Sequence, residues 1–175
     1  MPASILIAYA TRSGSTGEVA NAIGTALREA GLDVEVLPVN KVTSLAGKSA
    51  VLLGAPLYMG RFPKEFHKFL TSHRAEISSL RAWCFVLGPT RTEPADFEAA
   101  RKMADIELAR HAWLHPVEVQ VFGGKWDVET LPFPFSLARW LPMNPMNKIP
   151  RSDIRDWMAI REWGKGIARQ FKSAA

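Results

Sequence analysis

The sequence has a single cysteine, Cys84, among 175 residues, so no internal disulfide can form and a reducing, cytoplasmic setting is expected. Cys84 lies inside an apolar run, has no histidine close in sequence, and reads as a packed core residue rather than a nucleophile. No run of eighteen apolar residues occurs, so no membrane-spanning helix is expected. No basic segment precedes the first apolar run, so no secretory signal peptide is expected either. Gly-x-Gly-x-x-Gly is absent, which argues against a tightly bound dinucleotide, and Gly-x-Ser-x-Gly is absent too. Gly47-Lys48-Ser49 imitates the end of a phosphate-binding Walker loop, but Val42 stands where that motif needs glycine. His111 and His115 are four apart, yet no carboxylate follows the first and Pro116 ends the segment, so no metal site is expected. No acid–base residue is singled out as catalytic.

What remains is an ordinary globular composition, with 47% hydrophobic and 22% charged residues, expected to form one domain over residues 1–175. The net charge is +5, spread along the chain without any block of one sign. That balance suits anionic membranes or acidic partners, or is merely a basic surface; no nucleic-acid motif is present and no nucleic acid is expected.

Ile5 to Ala10 is an uncharged apolar run, the pattern of a buried parallel strand. It breaks into Thr11-Arg12-Ser13-Gly14-Ser15-Thr16, after which Val19, Ala20, Ile23 and Leu27 recur at the spacing of one helix face. A strand, a hydroxyl-rich turn and a helix start make an anion site, because free amides and the positive end of the helix dipole converge there. Gly14 would let the backbone curl around the anion. The bland alternative is a capping box formed by Ser15 and Glu18.

Further strands are expected at Asp33–Pro38, Ala50–Gly54, Ala82–Gly88 and around Val117, Val119 and Val121. Helices are expected from Pro63, over Asp96–Arg110 with Phe97, Ala100, Met103, Ala104 and Leu108 inward, and from about Asp153 with Trp157, Ile160, Ile167 and Phe171 buried. This alternation specifies a parallel sheet covered on both faces. The loops after strands 1, 3 and 4 should then meet over one ligand at the carboxyl ends of the strands.

Thr11-x-Ser13-Gly14-x-Thr16 resembles the phosphate loop of flavodoxins. The resemblance implies an α/β, flavodoxin-like three-layer sandwich, its five-stranded parallel sheet in the order 2-1-3-4-5, with an insertion after strand 5. It implies flavin mononucleotide (FMN) as cofactor, with Thr11, Arg12, Ser13, Gly14, Ser15 and Thr16 around its phosphate. The ring would lie between Pro56-Leu57-Tyr58-Met59-Gly60 and Gly88-Pro89-Thr90-Arg91, with Gly124 and Lys125 beside it. Tyr58 is the aromatic able to stack in the first loop; the alternative is that it packs on the neighbouring helix. The second loop has no aromatic, which would leave one face of the ring open to a small substrate. Arg12, Arg61, Arg91 and Lys125 would stabilise an anionic reduced ring by about 1 kcal/mol or more per close charge. A higher potential than in acidic flavodoxins is therefore expected.

The insertion, about residues 124–152, carries Trp126, Leu131, Phe133, Phe135, Leu137, Trp140, Leu141, Met143 and Met146 among prolines. Three roles stay open for Trp126–Met146, besides packing on its own core: peripheral membrane contact, a hydrophobic substrate cleft, or a partner surface. Phe122-Gly123-Gly124-Lys125, this insertion and Arg155-Asp156-Trp157 are similar to the menaquinone-dependent protoporphyrinogen dehydrogenase subgroup. That resemblance implies an FMN enzyme passing electrons from a small hydrophobic substrate to a quinone, placed at the inner face of the cell membrane. The alternative is a flavodoxin-type electron carrier docking to redox partners.

Overall fold

A computed structural model describes residues 4–127, 140 and 150–173. The chain runs β1 (Ser4–Tyr9), α1 (Ser15–Glu29), β2 (Asp33–Pro38), β3 (Ala50–Pro56), α2 (Lys64–Ser72), α3 (Arg74–Ser78) and β4 (Arg81–Leu87). It continues through α4 (Pro94–Ala109), β5 (Glu118–Phe122), β6 (Lys125–Trp126), β7 (Ser152–Asp153) and α5 (Trp157–Ser173). The five-stranded sheet has the order β2-β1-β3-β4-β5, every pairing parallel, as the flavodoxin-like reading expects.

The uninterrupted apolar strands follow from burial on both faces. Ile5 and Ile7 join Leu52, Trp83 and Phe85 on the face covered by α1 and α5. Leu6, with Val51, Leu53, Cys84 and Val86, faces the other way, toward Phe66, Phe69 and Leu70 of α2. Successive side chains of a strand point to opposite faces, so a strand sandwiched between helices must be apolar at every position. Each fully buried Leu, Ile or Phe contributes about 1.5–3 kcal/mol. Cys84 is part of this core, and burial pushes its thiol up to about 12. A neutral, enclosed thiol is unreactive.

Three expectations need correction. The last helix begins at Trp157 rather than near Asp153, because Asp153 lies in β7 and pairs with Lys125 of β6 in a small antiparallel sheet. Trp157 consequently sits on the helix rim, 37% exposed. On α4, Met103 is also 42% exposed, whereas Glu107 is buried beside Ala100 and Ala104. A carboxylate can replace an apolar side chain there because three donors meet it: the Phe62 amide, His67 and Arg110.

Of the insertion, residues 128–139 and 141–149 lie outside the described residues, and with them Leu131, Phe133, Phe135, Leu137, Leu141, Met143 and Met146. Trp126 is half-buried and Trp140 exposed. Among the described residues no helix is long and apolar enough to cross a membrane.

Candidate cofactor site

The turn after β1 has the backbone geometry that an anion cradle requires. Gly14 takes φ +88°, a left-handed conformation that glycine adopts without strain, and its amide donates to Thr11 Oγ1 at 2.9 Å. The first bond of α1 runs from the Glu18 amide to the Gly14 carbonyl, so the amides of Ser15, Thr16 and Gly17 precede the helical ladder. Thr16 is buried, and its hydroxyl oxygen has no hydrogen-bond partner among the described residues. No side chain caps the helix, and Glu18 turns instead to Arg155, so the capping-box alternative fails. A buried hydroxyl without a partner beside unspent amides is the arrangement an absent phosphate would complete. The residues present fit FMN's phosphate.

The loops that follow β3 and β4 converge as expected, and backbone bonds fix them. The Leu57 amide donates to the Leu87 carbonyl at 2.8 Å, that of Gly88 to Phe122 at 3.0 Å, and that of Gly124 to Pro89 at 2.7 Å. Close backbone approaches explain why Gly123-Gly124 stands here: a Cβ on Gly124 would lie 3.0 Å from the Gly88 carbonyl oxygen. A Cβ on Gly123 would lie 2.3 Å from the Ile154 carbonyl oxygen, too close for any side chain.

These loops enclose a cavity of about 1000 Å³. Of the expected residues, Arg12 and Ser15 border it from the phosphate loop, and Pro56, Leu57, Tyr58 and Met59 from the loop after β3. Gly88, Thr90, Gly124 and Lys125 close it from the other side. Gly60 and Pro89 border an adjoining recess of about 250 Å³ instead. Arg91 also leaves the main cavity: it is largely exposed and bonds Asp96 through Nε at 3.1 Å, an ion pair that draws it outward.

Tyr58 faces the phosphate loop, its hydroxyl 3.5 Å from Ser13 Oγ and its ring 5.0 Å beneath the Arg12 guanidinium. It belongs to a tight turn closed by paired bonds between Tyr58 and Arg61, with positive φ at both central residues, Met59 (48°) and Gly60 (75°). Methionine at that φ stores about 1–3 kcal/mol of strain. Met59 is also fully exposed.

Lys64, Arg110, His67 and Glu107 carried no sequence signal. The cavity is lined by Arg61, Lys64 and Arg110 as well as Arg12 and Lys125, with no carboxylate among the described lining residues. Trp126 lines it too, and its buried indole N–H has no hydrogen-bond partner among the described residues. His67, on the cavity wall, bonds Glu107 through Nε2 and His111 through Nδ1, both at 2.9 Å. His111 therefore pairs with His67 rather than with the exposed His115. Desolvation would raise the Glu107 carboxyl, but bonds from the Phe62 amide, His67 and Arg110 outweigh it and hold it below its ordinary value. Burial, then the charges of His67 and Arg110, push His111 down. Arg155 stands behind the phosphate loop, its bonds to Asp153 holding that carboxyl low.

Sequence comparison gives 27% identity over 77 residues with protoporphyrinogen IX dehydrogenase [quinone] of Escherichia coli (strain K12), covering 43% of this chain and 42% of that protein. The chain thus matches less than half the length of that relative. In structure it is similar to the Streptococcus pneumonia TIGR4 flavodoxin, with TM-score 0.58 and 16% identity over 99% of this chain and 100% of that one. It is likewise similar to the rubredoxin oxygen:oxidoreductase of Desulfovibrio gigas, with TM-score 0.56 and 13% identity over 97% of this chain and 36% of that one. The flavodoxin-domain profile matches residues 6–144, most of the chain and every loop that borders the cavity before the insertion. The chain belongs to the flavodoxin-domain family, whose cofactor is FMN.

Proposed function

We propose that the protein is an FMN-dependent oxidoreductase that takes electrons from a small hydrophobic substrate and delivers them to a quinone, in the manner of protoporphyrinogen IX dehydrogenase. The cavity carries this reading. It extends from the phosphate loop past Tyr58 to Phe62, Lys64 and Arg110, and its described lining combines apolar and neutral polar side chains with arginines and lysines and has no carboxylate. Such a lining suits a flavin together with an apolar reactant better than it suits a flavin alone.

FMN, when bound, supplies the reversible two-electron chemistry that no side chain can. The chain's own contribution is placement. Thr11 to Thr16 would hold the phosphate, and Pro56 to Met59, Gly88 and Thr90 would flank the ring. Gly88-Pro89-Thr90 offers no aromatic to cover the second face, which leaves an approach for the substrate. Arg12, Arg61 and Lys125 stabilise negative charge near the ring. The unpartnered indole N–H of Trp126 is a donor for a carbonyl of a bound reactant. The segment Trp126–Met146 is proposed to bring the site to a membrane surface, where a lipid-soluble acceptor resides.

The test is turnover of protoporphyrinogen by FMN-loaded protein with a menaquinone analogue as acceptor. A rate well above that of free flavin is expected; a rate equal to free flavin sinks the enzymatic reading. One observation favours an electron carrier instead: Met59 is strained and fully exposed at the cavity edge, as a docking contact would be. That reading predicts no porphyrinogen turnover but rapid exchange of electrons with a protein partner.

A further inference from the structure

Arg155 borders no part of the cavity, yet its side chain is only 3% exposed and every bond it makes is directed. Nε and Nη2 donate to the two oxygens of Asp153, at 2.8 and 2.5 Å. Nη1 donates to the Glu18 carboxylate and, at 3.4 Å, to the Ser15 carbonyl. The guanidinium lies 4.6 Å from the Trp157 ring. Such a fork, flat and divergent, is available to arginine and not to lysine.

The Ser15 carbonyl and the Thr16 amide belong to one peptide unit, in the first turn of α1. A cation bonded to that carbonyl polarises the peptide and strengthens the Thr16 N–H as a donor. The same cation neutralises Glu18, the acidic side chain of that turn, whose charge would otherwise oppose a phosphate at the helix N-terminus. Asp153, held by the other side of the fork, lies in β7, so one guanidinium joins the β6–β7 stem to the phosphate loop.

We propose that Arg155 is a positioning residue for phosphate recognition, coupling the stem of the insertion to the occupancy of the phosphate loop. This rests on FMN being the cofactor. Because coupling between two sites is reciprocal, whatever the phosphate gains from a docked stem, the stem gains from a bound phosphate.

The test compares FMN with riboflavin, which differs only in lacking the phosphate. Flavin-free wild type, Arg155→Lys and Arg155→Met are titrated with each, following flavin fluorescence, alongside thermal melts. The wild type is expected to prefer FMN. In Arg155→Met the FMN affinity falls by about tenfold or more, the scale of one charge-assisted bond, while riboflavin affinity stays within about twofold. Arg155→Lys recovers little, because it keeps the charge without the fork. Equal losses for both ligands, or an undiminished FMN preference in both variants, overturn the proposal. Should Arg155→Met fail to fold, Arg155→Lys decides alone. A wild type without preference for FMN overturns the phosphate site itself, and the proposal with it.

Discussion

At Thr16 the proposed phosphate site has a cost in stability. A buried hydroxyl without a partner costs about 1–3 kcal/mol, and Thr16 Oγ1 has no partner among the described residues. Thr16→Val removes it at almost unchanged volume. The flavin-free variant is expected to melt at the same temperature or higher, while its FMN affinity falls about tenfold, the value of one hydrogen bond to a charged group. Thermal unfolding and a flavin titration read the two effects separately; a lower melting temperature with unchanged affinity contradicts the assignment. Met59 is a second local departure, a bulky side chain at φ 48° with nothing packed on it.

Between elements, the acid-sensitive joint is the one linking α2 to α4. His67 on α2 bonds Glu107 on α4 and His111 just beyond it, and the two imidazole rings stack 5.2 Å apart. Both Glu107 and His111 titrate lower in the folded chain than in the unfolded one. For each, the unfolded chain takes up a proton first, so stability is present above the unfolded value and lost as pH falls toward the folded one. The loss from His111 begins below its ordinary value of 6.5, and that from Glu107 below 4.5. Denaturant unfolding followed from pH 7 down to pH 4 should therefore show falling stability. His111→Phe should flatten the upper part of that fall; an unchanged slope between pH 7 and pH 5 would show that the pair does not titrate as described.

For the molecule as a whole, charge around the cavity is expected to set the redox balance. Arg12, Arg61 and Lys125 border it, whereas Arg91 is spent on Asp96. Each close cation favours a reduced, anionic flavin by about 1 kcal/mol or more. Lys125→Glu should lower the midpoint potential of the FMN-loaded protein in a spectroelectrochemical titration, while Arg91→Glu, outside the cavity, leaves it nearly unchanged. Equal shifts in both would mean that net charge, not placement, governs the potential.

The sheet, and the hydroxyl and glycine pattern of the turn after β1, were legible in the sequence because both rest on local rules. Two-sided burial makes strands uniformly apolar, and Thr11 to Thr16 places hydroxyls and a glycine where a strand hands over to a helix. The loop after β3 was legible for the same reason, as the end of a buried strand. Tertiary structure alone decided that Arg91 turns away, that Trp157 reaches the surface, and that Glu107 replaces an apolar residue inside α4. It also brought Arg155 to Ser15 and Glu18, which stand 140 and 137 positions earlier in the chain. A charge is buried only where partners converge on it, and convergence across such separations leaves no periodicity to read.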